Sequence, residues 1–577
     1  MRTVLHRLAL TVLPLILLSA SVAPAGYAVA PSVRFPQQKS TMANLDAPLA
    51  DLSVRLRTAG PDGLHAWLWS ERPRLVSGCL QVHVLGAPSD YPAIHAEVNS
   101  AGGQVTGGVA AEGLVQAWVP VQAIGHLATR LDEFTIRQPA SAHLHAVAEA
   151  GSVQTEALGA MGANAWHDAG YWGQGIKVGV IDLGYAGYPG LLGTELPAQV
   201  VTGNFVDGQV DTDVNTGTRH GTAVAEIIHD VAPAAELYLA KVLTIVDLAE
   251  AVDWLLSEGV QVINTSLGWY DVSPGDGTGF FADQVARARA EGTLWVTSAG
   301  DEAQRHWCGD WVGPQDGELF WFGPDFRMNW LRTETGYEIR AGTKIELYLR
   351  WSDWTAVDQD YDLYLYEYLG ETPIAVASSA AGQTGVYGQT PTESLQFITT
   401  SAQGYYAVVI EAFSVARDIH LDLFLLGDPM FHYLVAGQSL SNLADAPDVI
   451  SVGAVDWSAP YTRQANSSQG PTKGPGGIAA GGLHQPGLSA YGDVSTASEG
   501  VFSGTSSAAP HVAGAAALLL GRYPDWGPDE VVELLYSRAR DNVLPLGWDP
   551  AYGHGSLYIG EVPFPPLQYL WLPLVAR

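Results

Sequence analysis

The stretch that most limits what this chain can become runs from Phe502 to Leu520. It reads Phe502-Ser503-Gly504-Thr505-Ser506-Ser507-Ala508-Ala509-Pro510-His511 and then stays small and apolar from Val512 to Leu520. Such a run predicts a tightly packed helix with hydroxyl residues in its first turn. The N-terminal end of a helix carries unpaired N–H donors and the positive end of the dipole, which favour a developing anion. Ser506 is therefore well placed for a nucleophile. A serine hydroxyl is weak on its own, so this reading demands a general base and a group to orient the base.

Both candidates lie upstream. Gly173-Gln174-Gly175 leads into the apolar run Ile176 to Ile181, which reads as a buried parallel strand with Asp182 at its carboxyl end. Open α/β sheets place their sites at that end. Arg219-His220-Gly221-Thr222-Ala223-Val224-Ala225 opens a helix of small residues. Imidazole titrates near neutrality, which suits proton transfer from a serine hydroxyl. The chain has 16 histidines, so only its surroundings single out His220.

Together these motifs resemble the serine, aspartate and histidine signatures of the subtilisin-like serine proteases (subtilases), in the order Asp182, His220, Ser506 that this family uses. The resemblance implies a secreted endopeptidase that hydrolyses peptide bonds through an acyl-enzyme on Ser506. His220 would then carry the proton and Asp182 would orient it. The chemistry would need no cofactor, and the partners would be protein or peptide substrates. Helices alternating with apolar strands from Glu236 to Ser298 imply an α/β fold, a doubly wound parallel sheet with helices on both faces. Ser266-Leu267-Gly268 resembles the family's substrate-binding segment, which takes an extended peptide by strand addition.

One position departs from the pattern. After Ser298 comes Ala299-Gly300-Asp301, where the family has Ala-Gly-Asn. The asparagine amide ordinarily joins the backbone N–H of the serine in the oxyanion hole, and losing such a donor costs roughly 10²- to 10³-fold in turnover. Three readings stand side by side. Asp301 is kept protonated and donates, which would give an acidic optimum; or the Ser506 N–H carries the load and the enzyme is slow; or the chain is a catalytically weak or inactive subtilase-fold binding protein. A further rival is a protein that cuts itself once and then serves as a scaffold.

The remaining segments follow from composition and pattern. With 577 residues, 47% of them hydrophobic, the chain has material for several cores. A formal charge of -32 opposes binding to nucleic acid or anionic membranes. Residues 1–30 have the layout of a secretory signal peptide: basic Met1 to Arg7, apolar Leu8 to Leu18, then Ala23, Ala25, Ala28 and Ala30. No segment is long and apolar enough for a membrane span. Residues 31–150 contain a β-α-β-β-α-β order, which suits a split-βαβ unit; before such a catalytic domain it resembles the family's inhibitory propeptide, with a processing cut expected between about Arg137 and Val153. The catalytic domain is expected over 151–301 and 446–562, with a tail at 563–577.

Between them, residues 302–445 alternate as short strands separated by turns, which predicts an inserted β-sandwich. Its stretch Asp358-Gln359-Asp360-Tyr361-Asp362 resembles the acidic entry strand of pre-peptidase C-terminal domains. Asp358, Asp360 and Asp362 are either oxygen ligands for a structural calcium ion or a solvated strand start. Cys79 and Cys308 are too few for a disulfide framework.

Overall fold

The computed structural model describes residues 43–56, 74–140, 142–144, 148–149, 154–324, 326–369, 372–474, 482–541 and 546–562. The signal-peptide reading of 1–30 and the tail at 563–577 lie outside the described residues. Among the described residues no helix is long and apolar enough to cross a membrane.

The centre is a seven-stranded sheet in the spatial order Leu488–Gly492, Val449–Asp456, Leu294–Ser298, Val262–Thr265, Lys177–Asp182, Glu236–Lys241, Val201–Asn204. Every neighbouring pair is parallel. The predicted doubly wound α/β sheet is what the chain forms, because strands such as Lys177–Asp182 and Val262–Thr265 are buried on both faces and helices must cover them. One face holds the serine helix, Thr505–Arg522, and the histidine helix, His220–Val231, in a single apolar core. The other face is closed by Ile245–Ser257 and Phe280–Ala290.

N-terminal to it, strands Cys79–Leu85, Gln104–Val109, Leu114–Pro120 and Thr135–Arg137 form an antiparallel sheet, with helices Tyr91–Ser100 and Ile124–Arg130 between them. Their apolar faces meet in a core of their own.

The inserted segment forms two antiparallel sheets. One runs His306–Trp311, Ile419–Leu426, Lys344–Trp351, Thr392–Ile398; the other runs Thr372–Ser379, Asp360–Leu369, Tyr405–Ser414, Asn329–Arg332, Met430–Phe431. A shared aromatic and aliphatic core joins them. His306–Trp311, Asn329–Arg332 and Met430–Phe431 are strands that the period-2 pattern did not single out. Cys79 and Cys308 are free thiols, one in the N-terminal sheet and one in the insertion.

Candidate active site

Asp182 ends its strand and His220 opens its helix, so the fold delivers a carboxylate and an imidazole to the same end of the sheet. His220 Nδ1 lies 2.7 Å from Asp182 Oδ2, and Asp182 Oδ1 accepts the Leu183 N–H at 2.8 Å. A carboxylate only accepts, so Nδ1 bears the proton and Nε2 is left with its lone pair. Gly221 makes the approach possible: a Cβ there would sit 2.7 Å from Asp182 Cβ and 2.7 Å from the Gly184 carbonyl oxygen. The imidazole is further fixed by Phe502, edge-on at a centroid distance of 5.1 Å. Nε2 is buried and has no hydrogen-bond partner among the described residues.

Ser506 is the second residue of its helix and is buried. Its hydroxyl donates to the Ser266 carbonyl at 3.1 Å and makes no hydrogen bond to His220 Nε2. The Ser506 carbonyl is held in a way the sequence explains. Pro510, four residues on, has no N–H to give it. Ser266 Oγ supplies the missing donor at 3.1 Å, and Asn264 Nδ2 in turn donates to Ser266 Oγ at 3.2 Å. The strand end thus grips the residue that carries the hydroxyl from two sides.

Asp301 lies against the same helix end. Its Oδ1 accepts the Thr505 N–H at 3.0 Å. Burial, and then the neighbouring Glu302 charge, push its carboxyl up to about 8. Glu302 is pushed up to about 7, chiefly by burial, while a Tyr270 hydroxyl and Ser468 Oγ donate to it. With Oδ1 engaged by Thr505, a protonated Asp301 carries its hydrogen on Oδ2. Confinement to acid pH, the expectation attached to the protonated reading, does not follow: a group titrating near 8 is still protonated at neutrality.

The substrate-binding expectation falls on Ser266, Leu267 and Gly268. Leu267–Gly268 pairs antiparallel with His143–Leu144, in the register Leu267 with Leu144 and Gly268 with His143. Further on, Ala148–Glu149 pairs antiparallel with Gly500–Phe502, just before the serine helix. Sequence reasoning did not find these partners, since two-residue strands carry no periodicity.

For the aspartates of the insertion the outcome differs from the expectation. Asp360 and Asp362 are brought together with Glu393, their ligand oxygens within 4.8 Å of one another. Asp358 is not part of the group; it is exposed and pairs with Arg417 at 2.6 Å. The strand begins only at Asp360, so Asp358 stands before it, while Glu393 comes from strand Thr392–Ile398 of the facing sheet and is remote in sequence. This is an all-oxygen donor set of the kind a hard cation takes, but Tyr364 and Gln383 already donate into it at 3.1 Å each. Glu302, Asn264 and Phe502 are the site residues sequence reasoning passed over. His511, within the serine motif, is structural: it bridges Thr155 Oγ1 and the Ser507 carbonyl at 2.8 Å each.

Comparison with known proteins bears on this geometry. A profile of the subtilase family matches residues 173–318 and 433–555. Subtilisin BL from Lederbergia lenta is 34% identical over 155 residues, 24% of this chain and 52% of its own. A thermostable alkaline protease from Halalkalibacterium halodurans is 30% identical over 155 residues, 24% of this chain and 39% of its own. The matched stretch is therefore about half or less of these relatives. The CspB protease of Clostridium perfringens superposes with a TM-score of 0.48 at 17% identity, covering 70% of this chain and 97% of that one. Just under half of the chain, in two stretches on either side of the inserted β-sheets, matches the subtilase family.

Proposed function

We propose that this chain is a subtilisin-like serine endopeptidase, exported by its N-terminal signal and made with an inhibitory N-terminal domain. The observation that carries the reading is the pair of strand additions. His143–Leu144 lies on Leu267–Gly268 and Ala148–Glu149 lies on Gly500–Phe502, so the chain's own backbone is held on either side of Ser506 as a substrate would be.

In this reading a rotation about the Cα–Cβ bond of Ser506 moves its hydroxyl from the Ser266 carbonyl to His220 Nε2. Nε2 takes the proton as Oγ bonds to the substrate carbonyl carbon, and Asp182 stabilises the imidazolium. The Ser506 N–H and protonated Asp301 receive the oxyanion. The peptide C–N bond then breaks, the leaving amine takes the proton from His220, and water releases the acyl group by the reverse sequence. The first cut is intramolecular, at a bond between Leu144 and Ala148.

Two measurements test this. A fluorophosphonate should label the processed wild type on Ser506 and leave Ser506→Ala unlabelled. Mass spectrometry of the exported protein should give a new N-terminus within 145–148, absent in Ser506→Ala. An unlabelled wild type that stays uncut would mean a binding protein instead. The bond of the Ser506 hydroxyl to the Ser266 carbonyl, with His220 Nε2 left without a partner among the described residues, is the feature that favours this second reading.

A further inference from the structure

His143 points its ring into a box whose walls come from two domains. On one side is Tyr270 of the catalytic domain, at a centroid distance of 5.9 Å. On the other is Tyr348, on strand Lys344–Trp351 of the inserted sandwich, edge-on at 5.4 Å. The Tyr348 hydroxyl lies 3.0 Å from His143 Nε2. Behind them Phe424, also from the sandwich, packs 4.9 Å from Tyr270. Burial pushes the His143 imidazole down to about 4, so at neutral pH the ring is uncharged and the tyrosine O–H donates to Nε2.

His143 is not an arbitrary neighbour. Through the pairing with Gly268 its backbone sits where any peptide added to Leu267–Gly268 would place a residue. Each side chain standing at that register enters the same box. Its walls are aromatic and buried in the intact chain, with Tyr270 and Tyr348 only 1% and 8% exposed. Removal of His143 would uncover them.

Building on the endopeptidase reading, we propose that the inserted sandwich completes a substrate subsite. In it Tyr348, with Tyr270 and Phe424, selects an uncharged imidazole or aromatic side chain at the position paired with Gly268. Stacking on the rings serves either side chain, and the Tyr348 hydroxyl adds a preference for histidine. A carboxylate there would be buried among aromatic rings, at a position where the Glu346 carboxylate acts more strongly than the Lys344 ammonium.

The test uses the processed protein and quenched fluorescent peptides spanning the chain's own 140–149 sequence, with His, Phe, Gly or Asp at the position of His143. For the wild type, kcat/KM should be about 10-fold higher for His and Phe than for Gly, with Asp lowest. Tyr348→Ala should bring the His-to-Gly ratio down to about 1. The conservative Tyr348→Phe should keep the Phe peptide's advantage and lose most of the histidine's advantage over phenylalanine. Unchanged ratios in both variants would overturn the proposal. If the wild type cleaves none of the peptides, the endopeptidase reading fails by itself. The subsite is then read in the uncut Ser506→Ala chain, where Tyr348→Ala and His143→Gly should each speed hydrogen exchange of the Leu144 amide about 10-fold. Unchanged exchange there overturns the subsite as well.

Discussion

Asp301 is the residue at which ordinary subtilase chemistry and this sequence part company, and its surroundings decide the consequence. A carboxyl raised to about 8 by burial and the Glu302 charge is a donor below that pH and an anion above it. In the proposed mechanism, turnover should fall as pH rises through about 8, because the hydrogen that meets the oxyanion is lost. Asp301→Asn keeps a donor at every pH. We expect its kcat to match the wild type near neutrality and to exceed it by on the order of 10²-fold well above pH 8; a pH–rate profile of both proteins checks this. Stability should follow the same group. Between the ordinary carboxyl range near 4 and about 8 the folded protein holds a proton that the unfolded chain gives up, so stability drops as pH rises across that window. Thermal unfolding should show Asp301→Asn gaining on the wild type over the same interval, and equal alkaline limbs would remove Asp301 from the oxyanion site.

Two helices carry the candidate base His220 and the candidate nucleophile Ser506, and their contact sets the distance between them. At their crossing stands Gly514: a Cβ there would lie 2.6 Å from Val231 Cβ. In an exposed helix interior, Gly→Ala stabilises by about 1 kcal/mol. At this crossing overpacking costs about 1–3 kcal/mol, so Gly514→Ala should lower Tm and also reduce kcat/KM, because the serine helix must shift against the histidine helix. A raised Tm would show that the crossing is looser than it looks. These two helices were legible in the sequence, since small residues at tight packing positions and the motifs at their first turns are local signals. So were most strands of the sandwich, where apolar and polar residues alternate from Lys344 to Trp351. The strand His306–Trp311 was not: its burial runs without alternation, and Ile419–Leu426 across the sheet imposes its extended form. The same limit hid Glu302 and Glu393, whose importance comes from neighbours distant along the chain.

At the scale of the molecule, the N-terminal domain is held by polar joints at both of its ends. On one side Thr135 Oγ1 donates to the Tyr387 carbonyl of the sandwich at 3.0 Å, and Gln389 Nε2 donates to the Ala43 carbonyl at 2.6 Å. On the other, buried Gln116 meets the N-terminal end of helix Ile245–Ser257. Its Oε1 accepts the Thr244 hydroxyl at 2.9 Å and its Nε2 donates to Asp247 Oδ1 at 3.4 Å. Thr244 and Asp247 also cap that helix, so the joint uses groups already fixed in place and spends little ordering entropy. Gln116→Ala removes both contacts and leaves a hydroxyl and a carboxyl buried without them, at about 1–3 kcal/mol for each group. Once the chain is cut, the domain should then leave the catalytic body more readily. We expect the lag before peptide hydrolysis to shorten and the inhibition constant of the released domain to rise on the order of 10- to 100-fold, measured as the progress curve of freshly processed protein against wild type. The balance between the two joints decides the alternative outcome. If Gln116→Ala leaves lag and inhibition unchanged while Thr135→Val shortens the lag, the sandwich rather than the helix cap governs release, and the insertion would act on both the selection of substrate and the timing of activation.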